Sequence, residues 1–432
     1  MPSSRACAGV SIVAILSCAC GTASTARFDD GQPSAGQTSS PAAGAATSGA
    51  ATSGTTGSND NGGSASAGAS AGGSGQSGAG APPVGGAAGQ TGTDGGRSPS
   101  AGGGGGGGFV CPGPPFAATP VASGATPERL AGVPPNDAFI SDANDTVILE
   151  GPVWVAGNLY VSEIENGSAF GNGPGLGGGA GADGNPTPAP PARILKISDA
   201  GAVSVAFPDV GSNGLALDPS GALVACSHKT GSISRLSVAG ANPVDLVSSY
   251  MGARFNSPND LTFGADGTLY FTDPSYQAPK PAPQAAQLAY RVPPGSTTAT
   301  PIGNGITQPN GITLSPDHKT LYISGSNGVF SHPVMADGSL GASSPFASDL
   351  VRSSDGMGVD CAGNLYTTSN QNVIIVSPQG KEVGRIAVPG VTSVSNVAFG
   401  GSDHKTIYIT GLGNGTRGGV FKIASQIPGM PF

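Results

Sequence analysis

Six oxygen-bearing side chains recur at one phase of this chain: Glu150, Asn213, Asn259, Asn310, Asp355 and Asn396. Counted to the apolar residue that opens the next strand (Leu159, Leu223, Leu269, Leu321, Leu365 and Ile407), the offsets are 9, 10, 10, 11, 10 and 11. Asn or Asp before Gly is a common turn former, and for any one of the six a turn would be account enough. Glu150 is a poor turn former, and turn chemistry does not explain the set. Carboxylate and carboxamide oxygens gathered without His or Cys are the donor set of a hard divalent metal ion: Ca2+ first, Mg2+ or Mn2+ next, Zn2+ disfavoured. Two carboxylates held close would push one pKa up, and a divalent ion relieves that repulsion. Such an ion polarises a carbonyl or phosphoryl oxygen and acidifies a bound water, which makes hydrolysis the natural chemistry.

The elements that must position these residues are short hairpins. LEGPVWVAGNLYVSEI from Leu149 shares its grammar with NGLALDPSGALVACS from Asn213, NDLTFGADGTLYFTD from Asn259, NGITLSPDHKTLYIS from Asn310, DGMGVDCAGNLYTTS from Asp355 and NVAFGGSDHKTIYIT from Asn396. In each, an apolar strand runs into a Gly- or Asp-containing turn and a second strand follows. Runs such as ARILKIS, ISRLSV, GVFSHPV and GGVFKIAS lie between the repeats and supply outer strands. Four of the five intervals between repeat starts fall between 41 and 51 residues, a period that points to propeller blades. The first interval, 63 residues, is lengthened by a Gly/Pro-rich stretch at 166–191 that should be an exposed loop. The fold expected is all-β, a six-bladed β-propeller in which residues of one repeat phase form one ring.

Composition divides the rest of the chain. Of 74 glycines, 29 lie in the first 110 residues, where large apolar side chains are scarce after residue 17, so that part cannot bury a core. Residues 1–17 read as a secretory signal, with Arg5 before an apolar stretch too short to span a membrane. Ile15-Leu16-Ser17-Cys18 resembles a bacterial lipobox, implying lipidation of Cys18, with Cys20 the weaker candidate. Residues 18–127 then form a disordered tether and 128–432 the propeller, which places the folded part outside the cytoplasm on a lipid anchor, or secreted. Ala19 after Cys18 suggests the outer membrane if the host is Gram-negative. A net charge of -8 without a basic stripe excludes nucleic acid as a partner. The spacing of Cys111, Cys226 and Cys361 contains no CxxC; free or incidentally paired thiols are the default.

At these repeats the chain resembles the senescence marker protein/gluconolactonase/luciferin-regenerating-enzyme-like family. The resemblance rests on EGPVW from Glu150, SNGLALDPSGALVACSH ending at His228, RFNSPNDLTF from Arg254, YFTDPSY ending at Tyr276, QPNGITLSPD from Gln308, SDGMGVD from Ser354 and SNVAFGG from Ser395. It implies one divalent cation, usually calcium, held by Glu150, Asn259, Asn310 and Asp355. It also implies that Asp355 is the general base or orienter of the attacking water, and that Arg254, Asn256, Asp260 and His228 line the substrate pocket. Ser354 stands where the family more often has Pro, and Glu163 where it has Asp, which bears on pocket shape. His318 and His404, each in an Asp-His-Lys turn, are expected as exposed hairpin residues, and Trp154 as a core anchor.

Together these readings predict a monomeric, metal-dependent hydrolase that opens a lactone or related ester, a small-molecule substrate. The alternatives are a non-catalytic binding propeller and a phosphotriester hydrolase on the same site.

Overall fold

The computed structural model describes residues 109–130, 146–166, 191–237, 242–413 and 419–431. The signal segment, Cys18, the tether before residue 109 and the bulk of the 166–191 insert lie outside them. Among the described residues there is no helix, and the strands form six four-stranded antiparallel sheets plus the small hairpin Ser249–Tyr250/Ala253–Arg254. Each sheet is one blade. The innermost strands of blades one to six are Thr146–Val155, Ser212–Leu217, Leu261–Phe263, Ile312–Leu314, Met357–Val359 and Val391–Gly400. Their partners are Asn158–Asn166, Leu223–Ser227, Leu269–Asp273, Thr320–Gly325, Leu365–Ser369 and Thr406–Gly413. Every innermost strand touches that of the next blade, and blade six returns to blade one.

The alternating apolar side chains of one blade have no second sheet of their own to cover them, so they bury against the neighbouring blade. The core is accordingly a set of wedges between blades. Between blades two and three, Phe255, Phe271 and Tyr290 pack with ring centroids 5.0 to 5.3 Å apart, beside Cys226 and Val247. Between six and one, Trp154 stacks on Tyr408 at 5.4 Å, the anchoring role expected of it.

The ring is closed by the N-terminal side of the chain. Glu128–Arg129 pairs with Gly419–Ala424 as the outer strand of blade six, so the β-body begins where the composition changes. Residues 109–127, assigned to the tether on composition, instead lie along blades five and six. Cys111 is disulfide-bonded to Cys361, and Val121 packs into the wedge between those blades. The Pro120 carbonyl accepts Gln426 N at 2.8 Å and Ser425 Oγ at 3.2 Å, while Phe109 stacks on His404 at 4.0 Å. A few contacts hold a Gly/Pro-rich segment in place, and average composition does not register them. Cys226 is a free, buried thiol.

The expectation for the two turn histidines is corrected as well, for His404 by the ring of Phe109 and for His318 by the residues around a small cavity. His404 and His318 are partly buried rather than exposed. His318 lines a cavity of about 30 Å³ with Thr262, Thr313 and Met430, and burial pushes its pKa down.

Candidate functional site

The six phase-matched residues do lie on or just before the six innermost strands. The glycine after most of them is there for space. Gly214 and Gly311 do not have positive φ, but a Cβ on Gly214 would come 2.5 Å from the Asn259 carbonyl, and one on Gly311 would meet that of Asp355. Close approach of neighbouring strands, not turn geometry, explains the Asn-Gly and Asp-Gly pairs at these positions. Blade three breaks the pattern: Asp260 occupies the glycine position. Its carboxylate accepts Leu261 N at 2.9 Å and, across the blade boundary, Ile312 N at 3.2 Å.

Asp260 therefore belongs with Glu150 and Asp355, and three carboxylates, two buried and Asp355 partly buried, share one electrostatic environment. Burial raises the pKa of Glu150 well above the usual carboxylate range, and the charges of Asp355 and Asp260 add to it. Burial, then Asp260, pushes Asp355 to about 8; burial pushes Asp260 to about 7. The opposing hydrogen bonds on Glu150 are few: Gly151 N at 3.3 Å and Asn396 Nδ2 at 3.4 Å. Asp355 is bonded by the Asn310 side chain, and its own N–H donates to Thr368 Oγ1 at 2.9 Å. Among the described residues, none of the ion pairs includes any of the three acids.

Amide oxygens complete the picture. Asn310 Oδ1 and Asn213 Oδ1 are buried without a hydrogen-bond partner, although Asn213 Nδ2 reaches Gln277 Oε1 at 3.4 Å. Asn259 is buried beside Asp260. Among the described residues, no group of three or more His, Cys, Asp and Glu is tight enough to hold a metal ion. A cation here must draw on carboxamide oxygens as well as carboxylates, as the ring composition allows. An open cavity of about 270 Å³ adjoins these residues, lined by Tyr276, Asn310, Ser353, Ser354, Asp355 and Ser369 among others.

The other residues named from sequence are placed differently. Arg254 spends its guanidinium on carbonyls of His228 (2.6 Å), Lys229 (3.0 Å) and Phe255 (3.2 Å). Asn256 is fully buried, donating Nδ2 to Ala286 O and accepting Gln284 N on Oδ1. His228 is buried too. Arg254 and Asn256 tie the loop before blade three to its surroundings, and neither they nor His228 line the cavity beside Asp355. Tyr276 does line it, and was legible only as the end of the YFTDPSY motif. Glu163, at the family's Asp position, is buried in an ion pair with Arg193.

A model of the SMP-30/Gluconolactonase/LRE-like region matches residues 149–413, more than half of the chain. The chain belongs to that family. Among its curated relatives, a gluconolactonase of Zymomonas mobilis is 30% identical over 231 residues, covering 49% of this chain and 64% of the relative. A lactonohydrolase of Aspergillus oryzae is 25% identical over 202 residues, covering 40% and 46%. The chain thus spans roughly half to under two thirds of these relatives' lengths. In fold, the family member superposes on a gluconolactonase structure from Xanthomonas campestris with a TM-score of 0.52 and 26% identity, over 72% of this chain and 98% of that one.

Proposed function

We propose that this propeller is a metal-dependent hydrolase that opens a lactone or related carboxylic ester beside Asp355. The observation that carries the reading is the inner ring itself: two buried carboxylates and the partly buried Asp355 without a cationic partner, next to buried amide oxygens without a donor. Burying charge uncompensated costs several kcal/mol per group, so a fold that keeps such a set leaves it for a ligand. The donor chemistry, all oxygen and mixed carboxylate and carboxamide, fits a hard divalent cation, calcium first.

Glu150, Asn259, Asn310 and Asp355 would hold that cation. When bound it supplies Lewis acidity toward a carbonyl oxygen and a more acidic water. With a cation bound beside it, the Asp355 carboxylate would be ionised and so free to act as a base. Its carboxylate would accept the proton of the attacking water. Asn310, bonded to that carboxylate, keeps it oriented. The adjoining cavity, floored by Asp355 and walled by Tyr276 and the Ser353, Ser354 and Ser369 hydroxyls, would take a small polar cyclic ester. The gluconolactonase and lactonohydrolase relatives support the lactone class.

The test is a rate panel of sugar and aliphatic lactones and a phosphotriester, with calcium and with chelator. Lactone turnover lost on chelation and restored by calcium is expected. Cation binding with no turnover on any lactone would replace this reading with a binding propeller, and phosphotriester turnover alone would move it to that substrate. We also propose that the propeller works outside the cytoplasm on a lipid carried by Cys18. Labelled palmitate should enter the full chain and fail to enter Cys18→Ser; equal labelling of both would discard the anchor.

A further inference from the structure

Two buried hydroxyls link the backbone at or next to the three residues proposed as ligands on blades three, four and five. In blade three, Asp260 N donates to Thr272 Oγ1 at 3.1 Å, and Thr272 Oγ1 donates to the Asn310 carbonyl oxygen of blade four. In blade four, Gly311 N donates to Ser324 Oγ at 2.8 Å, and Ser324 Oγ donates to the Asp355 carbonyl oxygen of blade five at 2.7 Å. A hydroxyl has one proton, and the 2.7 Å contact takes it in preference to the Gly311 carbonyl at 3.4 Å. Both side chains are 0% exposed, so water cannot substitute for either bond.

The two hydroxyls share a register, each the third residue after the leucine that opens the second strand, Leu269 or Leu321. Blade one does the same at one of its bonds, with Ser162 Oγ donating to the Asn213 carbonyl oxygen at 2.6 Å. Blade two does not: Cys226 occupies the register, and the Asn259 carbonyl is held by Gly214 N at 2.6 Å. Where a backbone amide serves, the register tolerates a thiol that packs into the apolar wedge. Toward Asn310 and Asp355 the register carries a hydroxyl.

From this geometry we infer that Thr272 and Ser324 are positioning residues, which set the spacing of Asn259, Asn310 and Asp355 and thereby the affinity of the inner ring for a divalent cation. The inference rests on the cation reading proposed above. Each hydroxyl pins a main-chain atom within one residue of a donor side chain, on both sides of a blade boundary. Without it the two blades remain packed through their apolar wedge, but the donors are free to drift apart. Outer-shell partners of this kind typically contribute about ten- to a hundredfold in metal affinity.

The experiment is calorimetric titration of Ca2+ into chelator-stripped protein, paired with melting in chelator, for the parent, Ser324→Ala, Ser324→Thr, Thr272→Val and Thr272→Ser. Ser425→Ala serves as control. Its buried hydroxyl bonds Pro120 and Ile427 carbonyls on the other side of blade six, so it should lower the melting temperature without touching the ring. Ser324→Ala and Thr272→Val are expected to weaken Ca2+ binding by about tenfold or more. Ser324→Thr and Thr272→Ser should return it to within about threefold of the parent, and Ser425→Ala should leave it unchanged. Equal affinity in the alanine and valine variants would overturn the inference. So would loss of folding in those two while the hydroxyl-retaining pair folds, since the hydroxyls would then hold the fold and not the site. A parent that binds no Ca2+ would instead strike at the cation reading itself.

Discussion

Two sets of acids sit inside this propeller, and they differ in what surrounds them. Asp360, at the turn of blade five, accepts Ala362 N, Asn364 N, Asn364 Nδ2 and Tyr366 OH at 2.8 to 3.2 Å. Asp273 accepts Asn256 N and Ser257 N at 2.9 and 2.8 Å, and Glu163 is paired with Arg193. Those acids are part of the scaffold: donors converge on them from their own blade or the adjoining loop. Glu150 and Asp260 are buried and Asp355 is partly buried beside the cavity, and within this set the charges of Asp355 and Asp260 raise Glu150 and that of Asp260 raises Asp355. A fold selected only for stability would be better served by apolar or neutral groups at those places. The contrast separates acids that build the molecule from acids that the molecule holds ready for something else.

The sharpest way to break this contrast is Asp355→Ala. Lactone turnover should fall by at least about a thousandfold. The melting temperature in chelator should hold or rise, because a like charge has been removed. A folded variant with full turnover would end the assignment of Asp355. Next in size, Glu150→Gln should weaken calcium binding by roughly a hundredfold while leaving the far-ultraviolet circular dichroism unchanged. Unaltered calorimetric affinity would return Glu150 to the scaffold class.

The pH dependence of the stripped protein follows from the direction of the shifts. Glu150 is raised, Asp260 lies at about 7 and Asp355 at about 8, whereas unfolded carboxylates ionise near about 4. Over roughly pH 4 to 8 the native state holds more protons than the unfolded one. Stability is therefore fully present below the unfolded value and is lost as pH rises through the folded values. Melting in chelator at pH 5, 6, 7 and 8 should show this fall, and saturating calcium should remove most of it. Asp273, also at about 7, leaves a residual slope with calcium present. On the scaffold side the effect is smallest: Asp360→Ala strands several donors and should cost about 2 kcal/mol in a denaturant titration. Calcium affinity should not move.

Much of this was readable before any coordinates. The repeat phase located the ring, because a propeller converts one sequence period into one circle of residues, and Glu150 stood out as the member that turn chemistry could not explain. The change in texture near Glu128 located the closing strand. Asp260 was named from sequence as a pocket residue, but its place beside Glu150 and Asp355 was not foreseen. Its signal was present, Asn-Asp where four of the other five repeats carry a glycine, but reading it required knowing that the glycine marks close approach between strands. Arg254 and Asn256 show the opposite limit: residue type advertises hydrogen-bonding capacity without saying that carbonyls of nearby loops will use it. The Cys111–Cys361 pairing spans 250 residues, and spacing alone had no means of choosing it over Cys226.

The closure of blade six has a consequence for how the molecule breathes. In most chains the terminal elements fray first and their amides exchange with solvent soonest. Here the N-terminal side of the β-body is an edge strand laid on Gly419–Ala424, and the segment before it is fastened to blade five through Cys361. Blade six should therefore exchange its amide hydrogens as slowly as the blades in the middle of the sequence. Reduction of that one bond should make it the first to open, loosening Asn396 and its contact with Glu150 ahead of the rest of the circle.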